Sequence, residues 1–213
     1  MSTLEYISNI ENNPYLGIYK KIDINQKPPI EIPTMTRKHL CRLFRKLGFK
    51  KGAEIGVERG EYSACICKCN PGIELYSIDL WKAYEGYRDH VSQSKLDAFY
   101  EETKKKLSIC KDWGCKVHMV RKFSMEAVKD FKDGSLDFVY IDANHDFIHV
   151  AEDIWYWSKK VRKDGIVAGH DFIRRKGFIC HVKDVVPAYC YSQGIRPWFV
   201  LRGEKTPSWF YVK

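Results

Sequence analysis

No apolar run in this 213-residue chain approaches the roughly 20 residues that a helix needs to span a bilayer, so membrane-spanning helices are not expected. Residues 1–25 lack the basic start and apolar stretch of a secretory signal, which makes a soluble, cytoplasmic protein the expectation. There is no internal repeat and no second domain, which excludes solenoids and arrays. Standard zinc spacing is missing too. The eight cysteines fall in patterns such as Cys65-x-Cys67-x-Cys69, which match no zinc ligand set. In a chain this long the core does not need disulfides, so the cysteines read as reduced, partly buried thiols.

What is present is apolar material, 45% with 14% aromatic, enough for the core of one domain. The formal net charge is +9, with basic residues clustered at 37–51, 104–106, 159–163 and 174–176. Such a balance favours anionic partners, whether nucleic acid, a phosphorylated metabolite or an acidic surface, although most lysine runs are solvated helix faces. Arg174-Arg175-Lys176 is singled out because it adjoins the stretch around which the chain is organised.

That stretch runs from 135 to 172. Residues 136–141 form a short apolar run of β-branched and aromatic residues, as in a strand covered on both faces, and it stops at Asp142. Phe147, Ala151, Ile154 and Val161 then recur near helical spacing, with Asp146 as the cap. Asp164-Gly165 is expected to end that helix and residues 166–168 to form the next strand, closing on His170-Asp171. In open α/β sheets ligands bind beyond the carboxyl ends of parallel strands, so Asp142, His145, His170 and Asp171 are delivered to one rim. Any one of them alone reads equally well as a cap or a structural histidine.

Earlier in the chain, residues 1–33 are polar and proline-punctuated and form an N-terminal arm, a candidate to cover the active-site mouth or to pack against a second copy in a homodimer. Residues 36–47 form a basic amphipathic helix stopped by Gly48. A brief strand at 53–57 then runs into a turn holding Gly56 and Gly60, followed by a helix over 62–69 and a second strand over 74–81 that carries Asp79. Glycines at such a turn let a ligand approach the backbone, helix-start N–H groups face an anion, and Asp79 can accept from both hydroxyls of a ribose. A dinucleotide is disfavoured: counted from Gly56, the third and sixth positions of the fingerprint are Glu58 and Glu61, and a pyrophosphate needs neutral backbone there. A nucleoside without phosphates suits the turn better.

Glu54-Ile-Gly-Val-x-x-Gly60, Asp79, Asp142-x-x-His145 and Gly-His-Asp171 together resemble the class I S-adenosylmethionine-dependent methyltransferases. The nearer resemblance is to the metal-dependent small-molecule O-methyltransferases of macrolide-sugar and cephalosporin biosynthesis, over residues 45–213. It implies an α/β, Rossmann-like doubly wound sheet of seven strands, mostly parallel with an antiparallel C-terminal hairpin strand and helices on both faces, with the arm at 1–35 and the methyltransferase domain at 36–213. Its cofactor is S-adenosyl-L-methionine. Glu54 would orient the methionine end, Gly56 and Gly60 make room for it, Tyr62 and Ser63 contact its carboxylate, Asp79 hold the ribose, and Trp81, Ser124 and Asp142 lie against it, Ser124 also capping the helix after the third strand. The resemblance further implies a divalent cation on Asp142, His170 and Asp171. Mg is expected, Mn or Zn being alternatives because His170 stands where a carboxylate is common. His145 is the implied catalytic base, its ordinary pKa near 6.5 suiting neutral pH. The expected reaction is methylation of a hydroxylated small molecule, such as a sugar or glycoside, and the charge allows an anionic one. Nucleic-acid methylation is the alternative, disfavoured by the lack of an Asn-Pro-Pro-Tyr-like motif and of a recognition module. A non-catalytic binding protein on the same fold is the other.

Overall fold

The computed structural model describes residues 1–84, 92–174, 177 and 179–213. In chain order these form α1 (Thr3–Ser8), β1 (Ile30–Ile32), α2 (Arg37–Lys46), β2 (Lys51–Ile55), α3 (Glu61–Cys69), β3 (Glu74–Asp79), α4 (Gln93–Ser108), β4 (Lys116–Arg121), α5 (Ser124–Ala127), β5 (Leu136–Ile141), α6 (Phe147–Lys160), β6 (Val161–Gly169), α7 (Val182–Ser192), β7 (Trp198–Leu201) and β8 (Ser208–Val212). Side chains alternate across a strand. In β5, Phe138 and Tyr140 therefore enter one buried cluster with α2 and α3, while Val139 and Ile141 enter another with α6 and α7. Helices cover both faces, which is why this strand reads as an unbroken apolar run.

The strands form one sheet in the order β1-β7-β8-β6-β5-β2-β3-β4. All are parallel except β8, which runs antiparallel to both β6 and β7. The chain builds outward from β2 through β3 to β4, then returns to the other side of β2 with β5 and β6. That reversal between β2 and β5 opens the crevice where doubly wound sheets take their ligands.

Among the described residues the sheet has eight strands rather than the expected seven. The additional strand is β1, which pairs with β7 through Ile30, Glu31 and Ile32. Three residues between prolines are too few to show a period of two. The arm is also part of the core: Ile7, Leu16, Ile18 and Met35 are buried in the same cluster as Leu40, Phe44, Phe199 and Leu201.

The helix after β5 is capped by Asp146, whose side chain accepts from the His149 N–H, but it ends at Lys160. Val161 already belongs to β6, and Asp164-Gly165 lies inside that strand, not at a helix end. Asp164 has φ +60° and the β5–β6 register shifts here, so the turn-like dipeptide marks a bulge. Ser124 is not a cap; Phe123 occupies that position, and Ser124 opens α5. α7 begins at Val182, and Pro187 sits within it. Among the described residues no helix is long and apolar enough to cross a membrane.

Candidate active site

The turn between β2 and α3 is held by a carboxylate. Asp79, at the end of β3, accepts at Oδ2 from the N–H groups of Val57 and Glu58, both at 2.9 Å, and at Oδ1 from Trp81 N–H at 2.9 Å. The acid expected to bind a ribose is thus already the anchor of the glycine turn, and a ribose would have to share its oxygens. Trp81 is buried and props the turn from beneath, its indole N–H donating to Glu58 O at 2.7 Å. Gly56 has φ +84°, and a Cβ there would lie 2.1 Å from the Asp142 carbonyl oxygen. Only glycine fits where the backbones leaving β2 and β5 pass one another. At Gly60, φ is +73° and a Cβ would meet Thr103 at 2.9 Å.

Glu54 is buried beside this turn and accepts from Ser63 Oγ, which in turn contacts Ser77 Oγ at 2.7 Å. Burial pushes the Glu54 carboxyl up to about 8, against the opposing pull of the Ser63 hydrogen bond. Ser63 therefore stands behind Glu54, fully buried, and does not reach the cavity as expected. Tyr62 borders the cavity, but its hydroxyl donates to Arg37 O at 3.0 Å and its ring packs 4.2 Å from Tyr140.

At the far end of the cavity Ser124 accepts from Trp157 Nε1 at 2.8 Å and donates to Asp153. Asp153 is 3% exposed, and burial raises its carboxyl to about 7 despite that hydrogen bond.

The four residues at the ends of β5 and β6 converge. His145 Nε2 lies 2.7 Å from Asp171 Oδ2 and 3.8 Å from Asp142 Oδ1; His170 Nδ1 lies 3.5 Å from Asp171 Oδ2 and 3.6 Å from Asp142 Oδ2. Backbone bonds set this up: Asp142 N–H donates to Ile55 O at 2.7 Å, His170 N–H to Ile141 O at 3.0 Å, and His181 N–H to His145 O at 2.8 Å. Asp171 has φ +53°, a left-handed conformation that turns its carboxylate into the cluster. Burial lowers the pKa of both imidazoles, but the carboxylates outweigh it and raise His145 to about 10 and His170 to about 9. Burial alone would raise Asp142 and Asp171; the two histidines beside them hold both below the usual carboxylate range. The cluster is thus two anions balanced by two cations.

Asp142, His170 and Asp171 place one ligand atom each within 4.8 Å of the others, two hard oxygens and one nitrogen, which fits a divalent cation. His149, one turn beyond His145, is spent on Asp146 at 2.8 Å. Arg174 pairs with Asp184 rather than entering the site, and Arg175 and Lys176 lie outside the described residues. All eight cysteines are free thiols.

One cavity of about 1220 Å³ joins the glycine turn, Asp79, Ser124 and the histidine–aspartate cluster. Two of its residues escaped the sequence reading. Arg37, at the start of α2, is one basic residue among many in that helix and carries no distinguishing signal. Asp153 did carry one: it lies on the buried stripe of α6 with Val150, Ile154 and Trp157, where a carboxylate is out of place.

Residues 53–172, more than half of the chain, match the family described as Methyltransferase domain. No curated protein matches the chain significantly. Solved structures do. An O-methyltransferase from Bacillus cereus in complex with SAH is 14% identical, with a TM-score of 0.58 over 98% of this chain and 96% of that one. TomG from Streptomyces achromogenes, an O-methyltransferase involved in tomaymycin synthesis and bound to SAM, is 15% identical, with a TM-score of 0.57 over 90% and 82%. A candidate caffeoyl-CoA O-methyltransferase from Staphylococcus aureus is 13% identical, with a TM-score of 0.60 over 90% and 86%. At these identities the likeness is one of fold.

Proposed function

The chain belongs to the methyltransferase-domain family as a class I S-adenosylmethionine-dependent methyltransferase, and from that premise we propose that it methylates a hydroxyl group of a small molecule such as a sugar or glycoside. The observation that supports this reading is the placement of His145, 2.7 Å from Asp171 and three residues after Asp142, in the same cavity as the glycine turn. Methyl transfer from a sulfonium is an in-line displacement: the acceptor oxygen bonds to the methyl carbon as the carbon–sulfur bond breaks, and the hydroxyl proton must leave. Catalysis then lies in positioning and in removing that proton.

Glu54, Gly56, Asp79, Trp81 and Ser124 line the part of the cavity that would receive the cofactor, and Gly60 closes the turn beside it. Asp171 fixes the His145 ring for the proton. When bound to Asp142, His170 and Asp171, a divalent cation would supply a Lewis acid to the acceptor hydroxyl and take over the carboxylate charge that otherwise keeps both imidazoles protonated. The imidazole in this set suits Mn or Zn at least as well as Mg.

The test is methyl transfer to panels of sugars, glycosides and catechols. His145→Ala should lose about 10²- to 10⁴-fold in kcat on an accepted substrate while S-adenosylhomocysteine still binds. A variant as active as the parent would remove His145 from the mechanism. Chelation followed by metal add-back examines the cation separately: activity should vanish and return, and full activity in chelator would exclude it.

A further inference from the structure

The methionine half of S-adenosylmethionine is a zwitterion, and a site that holds it firmly offers an anion to the ammonium group and a cation to the carboxylate. Glu54 is the buried carboxyl at this end of the cavity, and a bound ammonium group would favour its ionised form. The residues the sequence put forward for the carboxylate are both engaged elsewhere, Tyr62 with the Arg37 carbonyl and Ser63 with Glu54. Building on the cofactor reading above, we propose that Arg37 binds the α-carboxylate of the methionine half, opposite Glu54.

Arg37 is held in place for this. Its backbone N–H donates to Glu204 Oε1 at 2.6 Å, its carbonyl accepts from Tyr62, and its guanidinium carbon stands 5.3 Å from the centre of the Tyr62 ring. The guanidinium faces Asp142 at 3.8 Å and Glu204 at 3.7 Å, both beyond hydrogen-bonding distance. Among the described residues its N–H donors therefore remain unspent while it lines the cavity beside Glu54, Gly56 and Tyr62. A planar fork with free parallel donors matches a carboxylate in two-point contact. Of the other lysines and arginines on the wall, Arg59 is paired with Glu102 at 2.9 Å and Lys122 with Asp130 at 2.5 Å, while Lys82 lies three residues beyond Asp79. Arg37 also opposes the upward shift of the Glu54 carboxyl, and both residues line the one cavity.

Calorimetry on the full chain tests this with two probes, S-adenosylhomocysteine and its decarboxylated analogue, which keeps the nucleoside and the ammonium group. The parent should bind S-adenosylhomocysteine about 10- to 100-fold more tightly than the analogue. Arg37→Met should lose that preference, binding both ligands near the parent's affinity for the analogue, and Arg37→Lys should recover part of it. A preference unchanged in Arg37→Met overturns the assignment. So does an equal weakening of both ligands, which would make Arg37 a positioning residue for α2. If the parent binds neither probe, the cofactor reading itself fails, an outcome distinct from the other two.

Discussion

Asp171 and Asp153 are both acids out of their ordinary environment, and they differ in what holds them there. Asp171 sits at φ +53° with its carboxylate 2.7 Å from His145. Asparagine tolerates this backbone nearly as well, so Asp171→Asn removes charge without disturbing the turn. Methyl transfer should fall about 10²-fold, and near pH 7 the melting temperature should fall as well because the lost carboxylate stabilises two buried protonated imidazoles; paired activity and unfolding measurements check both. Asp153 has no ion pair of that kind among the described residues, and burial raises its carboxyl to about 7 from an ordinary value of 3.8. Between these values the folded state binds more protons than the unfolded one, so stability falls as pH rises through the window. Asp153→Asn keeps an acceptor for Ser124 and has no such titration. It should be more stable than the parent at pH 8, by a few kcal/mol as an order of magnitude, and close to it at pH 4, as read by denaturant unfolding at both values. Equal pH dependence in the two proteins would contradict the buried-acid account. At this scale the sequence was most informative where chemistry and strand ends coincide, as at Asp142, His145 and Asp171. It misled where a residue's role depends on what lies behind it: nothing in the order of residues tells that Ser63 faces Glu54 instead of a ligand.

Among the elements, β2 and β5 and the helices that follow them were readable because burial on both faces leaves continuous apolar runs and because glycine, aspartate and asparagine punctuate them. The bulge in β6 was misread because Asp-Gly is the usual signature of a chain reversal, and only pairing with Leu136 and Lys213 shows the strand continuing. β1 was missed because its three residues gain their structure from β7, which lies more than 150 residues further along. The arm that carries β1 is bound to the body of the domain by buried apolar side chains. Leu16 is fully buried within that contact, so Leu16→Ala should cost about 2–5 kcal/mol in urea unfolding. S-adenosylhomocysteine affinity of the folded protein should remain, since Leu16 does not border the cavity. A cost within error of zero would show that the arm is dispensable to the core.

For the whole molecule, the surface charge and the cavity charge have opposite signs. The chain carries a formal +9, yet among the described lining residues ten bear carboxyl groups, against four lysines or arginines and the imidazoles of His145 and His170. Such a cavity favours a sulfonium, an ammonium group and a divalent ion, and repels a polyphosphate backbone. Basic residues elsewhere on the surface are therefore a poor guide to the substrate, and a nucleic-acid shift assay at low salt should show no complex that competes with S-adenosylhomocysteine. What organises the molecule is the sheet reversal between β2 and β5, which brings the glycine turn and the histidine–aspartate cluster to one crevice. The most direct measurement of that arrangement is diffraction from crystals grown with S-adenosylhomocysteine. The expected map shows the ribose at Asp79, the base toward Ser124 and the sulfur opening onto Asp142 and His145. A nucleoside lodged outside this crevice, or Asp142 and Asp171 turned away from the sulfur into separate surroundings, would contradict it.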